Sequence, residues 1–377
     1  MAGRYRAAII GHTGRGNYGH GLDVALVGLP GVEIVAVADP DEAGRQAAQT
    51  RTGAHGVYAD YREMLTRERP DLTVIAPRWV GERVAMATAA AEVGAHLLIE
   101  KPLAATVAEA DTILDASGRA GVKVAVAHQT RLHPATLHAG RLAQEGSIGR
   151  LRLVRAFGKM DHRGGGQDLM VLGTHVLDLM RYFAGDASWA AGEILVGSRQ
   201  AEPTDFRPGD EEIGPIAGDG LRATYGFADD VLGLFETFAN LGNDEGPYGI
   251  ILVGERGQLS LSGGFTKRLC RYPFPYAAPG ATGDHWEPVD VPDAGPGEAP
   301  GAAPLSAGEL TLRANQRVVR DLLTAVEQGR EPITSGDAAR AALELIQAVA
   351  AAHAAGGRVE LPLQRREHPY GASLHPC

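Results

Sequence analysis

The chain has 377 residues, of which 44% are hydrophobic and 22% charged, and its formal net charge is −10 at pH 7. This size and composition predict one large or two ordinary globular domains with sizeable cores. The negative charge argues against nucleic acid and anionic membranes as partners, because binding to either needs a positive field on the protein. A small soluble ligand is favoured.

Cysteine content and hydropathy give expectations about the compartment. Cys270 and Cys377 are far apart in the sequence, which argues against a disulfide framework and suits a reducing cytoplasm. No apolar run reaches the roughly 18 residues of a membrane span, and residues 1–6 lack the apolar core of a signal peptide. The histidines show no metal-ligand spacing, so we expect no metal site.

The first elements follow the order of a dinucleotide-binding unit. Residues 6–10 predict a buried strand, residues 11–19 form a glycine-rich loop, residues 20–29 predict a helix, and residues 32–38 predict a second strand that ends at Asp39. Backbone N–H groups at such a loop favour a pyrophosphate, and an acid after the second strand accepts hydrogen bonds from the adenosine ribose.

Two glycine patterns overlap in this loop, since Gly14, Gly16 and Gly19 fit G-x-G-x-x-G while Gly11 is the glycine that follows the strand. We expect a lengthened loop that uses both. Asp39 is followed by Pro40 and Asp41, and Arg45 lies too far along the next helix to neutralise a 2′-phosphate, so NAD is favoured over NADP. The predicted cofactor contacts in this unit are Gly11, Thr13, Gly14, Gly16, Asn17, Tyr18 and Asp39.

The alternation of helix and strand continues to residue 127 and then stops. Predicted helices at 41–52, 61–66, 81–93 and 110–120 separate predicted strands at 57–58, 72–76, 95–99 and 122–127, which predicts a doubly wound parallel α/β domain over residues 1–127. Beyond it, strands at 150–157, 189–196, 221–227, 232–239, 248–253 and 258–261 follow one another, interrupted by a helix at 168–183 and closed by helices at 309–328 and 336–355. Residues 128–377 therefore predict an α+β domain with a large, mostly antiparallel sheet, and residues 280–308 a long surface loop.

Charged and aromatic residues follow two neighbouring strands of the first domain. Glu100, Lys101 and Pro102 end the strand at 95–99, while Pro77 and Trp79 follow the strand at 72–76. The carboxyl ends of parallel strands are where ligands bind in open α/β sheets, so Lys101 is available to a substrate oxygen there. Trp79 either lies along the nicotinamide or packs in the core. The predicted cofactor contacts at this edge are Pro77, Trp79, Glu100 and Lys101.

The helix at 168–183 carries a second set of candidates. Asp168, Val171, His175 and Asp178 share one face at helical spacing, and a histidine between carboxylates can accept a proton. Arg131 and His162 are further candidates for binding substrate hydroxyls; the alternatives are a salt bridge for Arg131 and a solvated loop for His162.

These motifs together resemble the Gfo/Idh/MocA oxidoreductases, the family of glucose-fructose oxidoreductase and inositol dehydrogenase. The resemblance rests on the glycine unit, on Glu100-Lys101-Pro102 and on Gly173-x-His175-x-x-Asp178. It implies a Rossmann domain followed by an open-faced sheet domain, and hydride transfer between NAD and a secondary alcohol or ketone of a sugar, glycoside or cyclitol. It also implies a homodimer or homotetramer packed through the C-terminal sheet.

The same resemblance assigns roles within this sequence. Lys101 matches the lysine that contacts the reacting hydroxyl, and His175 matches the histidine that accepts its proton. The aspartate that family members commonly have four residues before that histidine is Val171 here. We expect Asp168 either to reach the substrate or to cap the helix. The catalytic candidates are Lys101, His175 and Asp168; the substrate contacts are Lys101, Arg131, His162, Asp168 and His175.

Two other functions stay open on the sequence. One is a transient-redox enzyme, in which bound NAD oxidises a sugar carbon, a neighbouring group is eliminated, and the cofactor is restored. The other is a non-catalytic NAD-binding sensor.

Overall fold

Helices and strands alternate through the first third of the chain and then give way to a run of strands. The fold is taken from a computed structural model, which describes residues 5–242, 248–263, 268–278, 280, 285–292, 294–295 and 305–371. The α-helices are α1 (Glu42–Thr52), α2 (Tyr61–Glu68), α3 (Arg83–Glu92), α4 (Val107–Ala120), α5 (Pro134–Gln144), α6 (Gly166–Asp168, a single turn), α7 (Thr174–Ala184), α8 (Ala307–Gln328) and α9 (Gly336–Ala355).

The strands begin with six that belong to the first sheet: β1 (Tyr5–Ile10), β2 (Val32–Ala38), β3 (Gly56–Tyr58), β4 (Leu72–Ile75), β5 (His96–Ile99) and β6 (Val124–Val126). The later strands are β7 (Leu151–Phe157), β8 (Ala187–Val196), β9 (Arg199–Gln200), β10 (Arg207–Pro208), β11 (Pro215–Ile216), β12 (Gly220–Phe227), β13 (Leu232–Phe238), β14 (Gly249–Gly254), β15 (Gln258–Ser262), β16 (Arg268–Tyr272), β17 (Glu287–Pro288) and β18 (Val359–Glu360).

The chain divides into two compact units. The first comprises the residues up to Gln129 together with Asp210–Ile213 and Ala307–Arg340, and the second comprises the rest. The predicted boundary at residue 127 is close to the observed one, but the assignment of all of 128–377 to the second domain is wrong. The N–H of Val80 donates to the carbonyl of Glu211 (3.0 Å), and the N–H of Val126 donates to the carbonyl of Thr334 (2.8 Å). These later segments therefore pack with the first unit.

The first unit is built on a parallel sheet with the strand order β3-β2-β1-β4-β5-β6. Strand β4 is buried along its whole length and β5 is buried after His96, and both are mostly apolar, as expected for a sheet covered on both faces. This confirms the predicted doubly wound α/β domain. The helix predicted over residues 20–29 is reduced to a 3₁₀ turn, Asp23–Leu26. Gly19, Gly21 and Gly28 bracket this turn with φ of 61°, 70° and 73°, a left-handed conformation that prevents a continuous α-helix.

The second unit is built on a ten-stranded sheet, counted over the described residues, with the order β17-β16-β15-β14-β7-β13-β12-β8-β18 and β9 paired to β8. All of its pairs are antiparallel except β7 with β13. Burial alternates along β13, as expected for a sheet with one covered face. The predicted α+β architecture is confirmed. About half of the loop predicted at 280–308 lies outside the described residues. Within the described residues, no helix is long and apolar enough to cross a membrane.

Asn315 on α8 ties this late helix to the first sheet. Its side chain is fully buried. The amide donates to the carbonyl of His20 (3.0 Å), and the amide oxygen accepts from the side chain of Gln129 (2.6 Å). Because each of these groups is satisfied by Asn315, the residue links α8 to the end of the glycine loop and to the segment after β6.

We expect Asn315→Ala to lower the free energy of unfolding by about 2–3 kcal/mol, because it leaves buried polar groups without partners. Urea denaturation followed by circular dichroism measures this change. The matched control is Gln316→Ala, which removes two exposed hydrogen bonds, one to the carbonyl of Val27 and one from the side chain of Arg320, and should cost less than about 1 kcal/mol. Equal losses in the two variants would contradict the anchoring role.

Candidate active site

A buried arginine joins the loops that follow β4 and β5. The guanidinium of Arg83 is fully buried and donates to four backbone carbonyls: those of Glu100, Pro102 (2.8 Å), Pro77 (2.6 Å) and Trp79 (3.4 Å). Burial lowers the pKa of Arg83 to about 10, against the opposing effect of Glu100 and Glu211, so the group stays cationic at neutral pH. The two loops are thus fixed to one another at the carboxyl edge of the sheet.

Sequence reasoning missed Arg83, although a signal was present. Arg83, Met86, Ala87 and Ala90 recur at helical spacing on the buried face of α3. An arginine on an otherwise apolar helix face needs buried acceptors, and backbone carbonyls at the sheet edge are the nearest source.

Glu100 and Lys101 lie at the point that Arg83 holds. Lys101 is 4% exposed and is joined to Pro102 by a cis peptide bond. Glu100 is fully buried, and its Oε1 lies 2.7 Å from Nδ1 of His20. Burial raises the pKa of Glu100, but the hydrogen bond and charge of His20, with Lys101 and Arg83, lower it overall. An ionised carboxylate therefore lies beside the lysine.

The glycine loop lies directly against the loop that follows β4. The N–H of Arg78 donates to the carbonyl of Gly16 (3.2 Å), and a Cβ on Gly16 would overlap the backbone of Trp79. A Cβ on Gly19 would lie 2.6 Å from the carbonyl oxygen of Ala76. Only glycine allows this approach at either position. Gly14, by contrast, has open space around it and a φ of 85°.

Asp39 holds the glycine loop in place. Its buried carboxylate accepts from the N–H (3.0 Å) and hydroxyl (2.8 Å) of Thr13 and from the N–H of Asp41 (2.9 Å). A carboxylate offers about four acceptor positions, so one is left for a ribose hydroxyl. Arg45 lies nearer than its place in the sequence suggested, because its guanidinium reaches the carbonyls of Asp39 (3.4 Å) and Pro40 (3.3 Å).

Aromatic side chains fill the space around the loop. The ring of Tyr18 lies where a Cβ on Gly11 would be, and the guanidinium of Arg51 stacks on it at 4.3 Å. Burial, above all, and the nearby Asp39 charge raise the pKa of Tyr18. Trp79 is buried against the loop, with Arg15 over its ring at 4.8 Å. The observed contacts of Trp79 are thus those of packing.

The residues of the first unit fit a dinucleotide. Gly11, Thr13, Gly14, Gly16, Asn17, Tyr18, Asp39, Pro77, Trp79, Glu100 and Lys101 all belong to the carboxyl edge of β1, β2, β4 and β5 or to the loops that follow these strands. The open side of the loop at Gly14 leaves room for a phosphate to approach the backbone. The single 3₁₀ turn after the loop means that the loop, rather than a long helix, must supply the N–H donors.

In the second unit, Asp168 is a buried anchor for the helix that carries His175. Its Oδ2 accepts from the hydroxyl of Thr237 on β13 and from the N–H of Met160 (3.3 Å). Burial raises the pKa of Asp168, while these two hydrogen bonds lower it. The carboxylate does not cap the helix, and no part of it is exposed. Asp168 thus holds the helix against the sheet.

A π-helical turn, Leu169–Gly173, separates Asp168 from α7. Such a turn takes one residue more than an α-turn and rotates the remainder of the helix by roughly 100°. The prediction that Asp168 and His175 share one helix face is therefore wrong. The hydroxyl of Tyr248 donates to the carbonyl of Leu172 (3.3 Å) within the turn. His175 is buried in the first turn of α7.

Three consecutive glycines let the chain enter this helix. A Cβ on Gly164 would overlap the backbone of Ala239, and one on Gly165, whose φ is 88°, would overlap the carbonyl of Gly218. The N–H of Gly166 donates to the carbonyl of Ala217 (3.1 Å). The glycine run predicted as part of the site is thus explained by its contact with the ends of neighbouring strands.

Arg131 and His162, the remaining candidates of the second unit, each match the alternative role that the sequence left open. The guanidinium of Arg131 pairs with the buried carboxylate of Asp178 (3.0 Å) and lies over the ring of Tyr182 at 5.4 Å. This is the salt bridge that the sequence left as an alternative. The side chain of His162 is 82% exposed, as in the alternative of a solvated loop. Among the described residues, no cluster of histidine, cysteine and carboxylates could hold a metal ion.

Residues 5–128 match the family model of the Gfo/Idh/MocA proteins, described as an oxidoreductase family with an NAD-binding Rossmann fold. The first unit is therefore similar to the NAD-binding Rossmann domain of that family. The match agrees with the resemblance that the motifs carry.

Relatives of this family resemble the chain over part of its length. D-apiose dehydrogenase of Paraburkholderia graminis is 31% identical over 42% of this chain and 45% of its own length. Levoglucosan dehydrogenase of Pseudarthrobacter phenanthrenivorans is 29% identical over 56% of this chain and 57% of its own. The chain therefore matches about half the length of these relatives.

The fold is shared over almost the whole chain. The structure of levoglucosan dehydrogenase in complex with NADH and levoglucosan superposes with a TM-score of 0.74, at 21% identity, over 95% of this chain and 100% of its own. The second unit therefore has the same fold as the corresponding part of that structure.

We expect Arg83→Met to lower the free energy of unfolding by about 3–5 kcal/mol, because four buried carbonyls lose their donor. Guanidinium denaturation measures the loss. Arg62→Met is the control, since Arg62 lies on the exposed surface against the ring of Tyr61 and should change stability by less than about 0.5 kcal/mol. A loss below about 1 kcal/mol in Arg83→Met would contradict the assigned role.

Thr237→Val should destabilise the second unit by about 2 kcal/mol, because it removes a donor from the buried Asp168 carboxylate. Thr237→Ser keeps the hydroxyl and should recover most of the loss. Thermal unfolding of the two variants provides the comparison. If the serine variant is no more stable than the valine variant, the hydrogen bond to Asp168 is not what Thr237 contributes.

Proposed function

We propose that this protein is an NAD-dependent oxidoreductase that interconverts a secondary alcohol and a ketone of a sugar, glycoside or cyclitol. The observation that carries the proposal is the buried ammonium of Lys101, fixed at the carboxyl edge of a Gfo/Idh/MocA Rossmann domain by Arg83 and flanked by Glu100. The substrate class is inferred from the sugar dehydrogenases that the chain resembles.

Lys101 serves as the electrophile in this proposal. A buried ammonium polarises a carbinol oxygen more strongly than an exposed one, because little water screens it. The neighbouring carboxylate of Glu100 is ionised and supplies the opposite charge. Arg83 prevents the loop from relaxing when substrate binds, so that the ammonium needs no reorganisation during the reaction.

His175 serves as the base that accepts the hydroxyl proton. Its helix is anchored at one end by Asp168, Thr237 and Tyr248, and further along by the pair of Asp178 with Arg131. We assign Asp168 and Arg131 to positioning this helix, rather than to direct contact with the substrate. His162 is retained as a substrate contact only as a sequence-based candidate.

NAD, when bound, supplies a reversible two-electron acceptor. Gly11 to Tyr18 and Asp39 would hold its phosphates and ribose, and Pro77, Glu100 and Lys101 would line its nicotinamide end, with Trp79 packed behind the loop. Thr13 contributes indirectly, by fixing the loop on Asp39.

The assembly and compartment belong to the same proposal. The ten-stranded sheet is covered on one face within its unit, and its other face offers a surface through which two or four copies pack. Cys270 is unpaired and half-buried, which is compatible with the reducing cytoplasm.

We expect Lys101→Met to reduce turnover by at least about a hundredfold while NADH affinity changes little, because the lysine acts on the substrate oxygen. Absorbance at the NADH band with a panel of sugars and cyclitols measures turnover, and NADH fluorescence measures binding. The control is Lys123→Met, whose ammonium pairs with the exposed Glu331 at the opposite end of the sheet.

Unchanged turnover in Lys101→Met would overturn the assignment of the lysine. Product formation without accumulation of NADH in the wild-type protein would instead identify the transient-redox reaction. Binding of NADH with no reaction on any substrate of the panel would favour a sensor.

A further inference from the structure

His20 is a partly exposed histidine at the end of the glycine loop, and its side chain forms a hydrogen bond with the buried carboxylate of Glu100. Its Nδ1 lies 2.7 Å from Oε1 of Glu100; the imidazole is 37% exposed and the carboxylate is not exposed at all. The proposed chemistry of Lys101 and His175 makes no use of this pair. The pair joins the end of the glycine loop to the residue that precedes Lys101.

The carboxylate of Glu100 lies against the end of the glycine loop. A Cβ on Gly19 would lie 3.0 Å from its Oε2, and that oxygen has no hydrogen-bond partner among the described residues. An ionised carboxylate in this place repels any anion that the loop binds, and the repulsion is strong because the group is buried. A compensating positive charge is therefore needed for a diphosphate to bind.

Three cationic groups act on Glu100, namely His20, Lys101 and Arg83. Arg83 is directed at backbone carbonyls, and Lys101 is the proposed electrophile for the substrate. His20 is the group that lies on the cofactor loop itself. Its imidazole is also open to solvent, being 37% exposed.

The backbone of His20 is also held in place. The side-chain amide of Asn315, which is neutral, donates from α8 to the carbonyl of His20 (3.0 Å). The other charged side chains of the loop, His12 and Arg15, both lie against the ring of Trp79, at 5.2 and 4.8 Å.

We propose that His20 sets the affinity of the glycine loop for the diphosphate of the dinucleotide, by placing a positive charge against Glu100. The proposal rests on the proposed function, because it requires that this loop bind NAD or NADH. Protonated His20 neutralises the carboxylate and favours the diphosphate. Loss of the proton leaves Glu100 uncompensated on the loop side and weakens binding.

The test is the dissociation constant of NADH, measured by fluorescence titration between about pH 6 and about pH 9. In the wild-type protein it should rise by about three- to tenfold over this range, the size expected for one charge near a protein surface. His20→Gln should bind weakly at both ends, and His20→Lys tightly at both. Glu100→Gln should bind tightly with little pH dependence, because the repelling charge is gone.

His55→Gln is the matched control, because His55 forms a comparable pair with Glu33 (3.4 Å) on the exposed surface of the same unit. It should retain the wild-type pH profile. The role of His20 would be overturned if His20→Gln kept the wild-type pH profile, or if NADH binding to the wild type did not depend on pH. In either case, NADH binding itself would still support the cofactor site. Absence of NADH binding to the wild type at every pH would overturn the proposed function, and this proposal with it.

Discussion

The guanidinium of Arg83 fixes the edge of the sheet on which the rest of the site depends. It is a fully buried cation whose hydrogen bonds all go to backbone carbonyls, two from each of the loops that follow β4 and β5. Such a group is costly to bury unless it is hydrogen-bonded, and here both terminal nitrogens of the guanidinium donate to carbonyls. Because the carbonyls belong to Pro77, Trp79, Glu100 and Pro102, satisfying the arginine fixes the backbone on either side of Lys101. The same geometry brings Glu100 under the glycine loop, where it meets His20.

Close backbone approach is the second constraint, and it explains why glycine recurs at both candidate regions. Gly16 and Gly19 let one loop lie on another at the sheet edge, and Gly164 and Gly165 let the chain pass between strand ends before the helix of His175. In each place a side chain would overlap backbone, so the glycines serve packing as much as ligand binding. Gly14 differs from these four glycines, because it combines a left-handed φ with open surroundings. It is therefore the point at which a ligand has access to the loop.

Much of this architecture could be predicted from the sequence because it depends on local pattern. Buried parallel strands read as continuous apolar runs, and β1 and β2 lie where those runs are. The Glu-Lys-Pro and glycine-histidine motifs are also local patterns, and they carry the resemblance to the Gfo/Idh/MocA family. The return of α8 to the first unit could not be predicted, since it depends on Asn315 meeting His20 and Gln129, which are distant in sequence. The role of Asp168 could not be predicted either, because a π turn that helical spacing does not reveal rotates it away from His175.

The most direct measurement is a crystal structure of the protein grown with NAD. The account predicts a dinucleotide with its diphosphate on the loop from Gly11 to Gly19 and its nicotinamide end at Lys101, with Arg83 still bound to its four carbonyls. A dinucleotide bound elsewhere, or one whose nicotinamide end lies away from Lys101, would contradict the account.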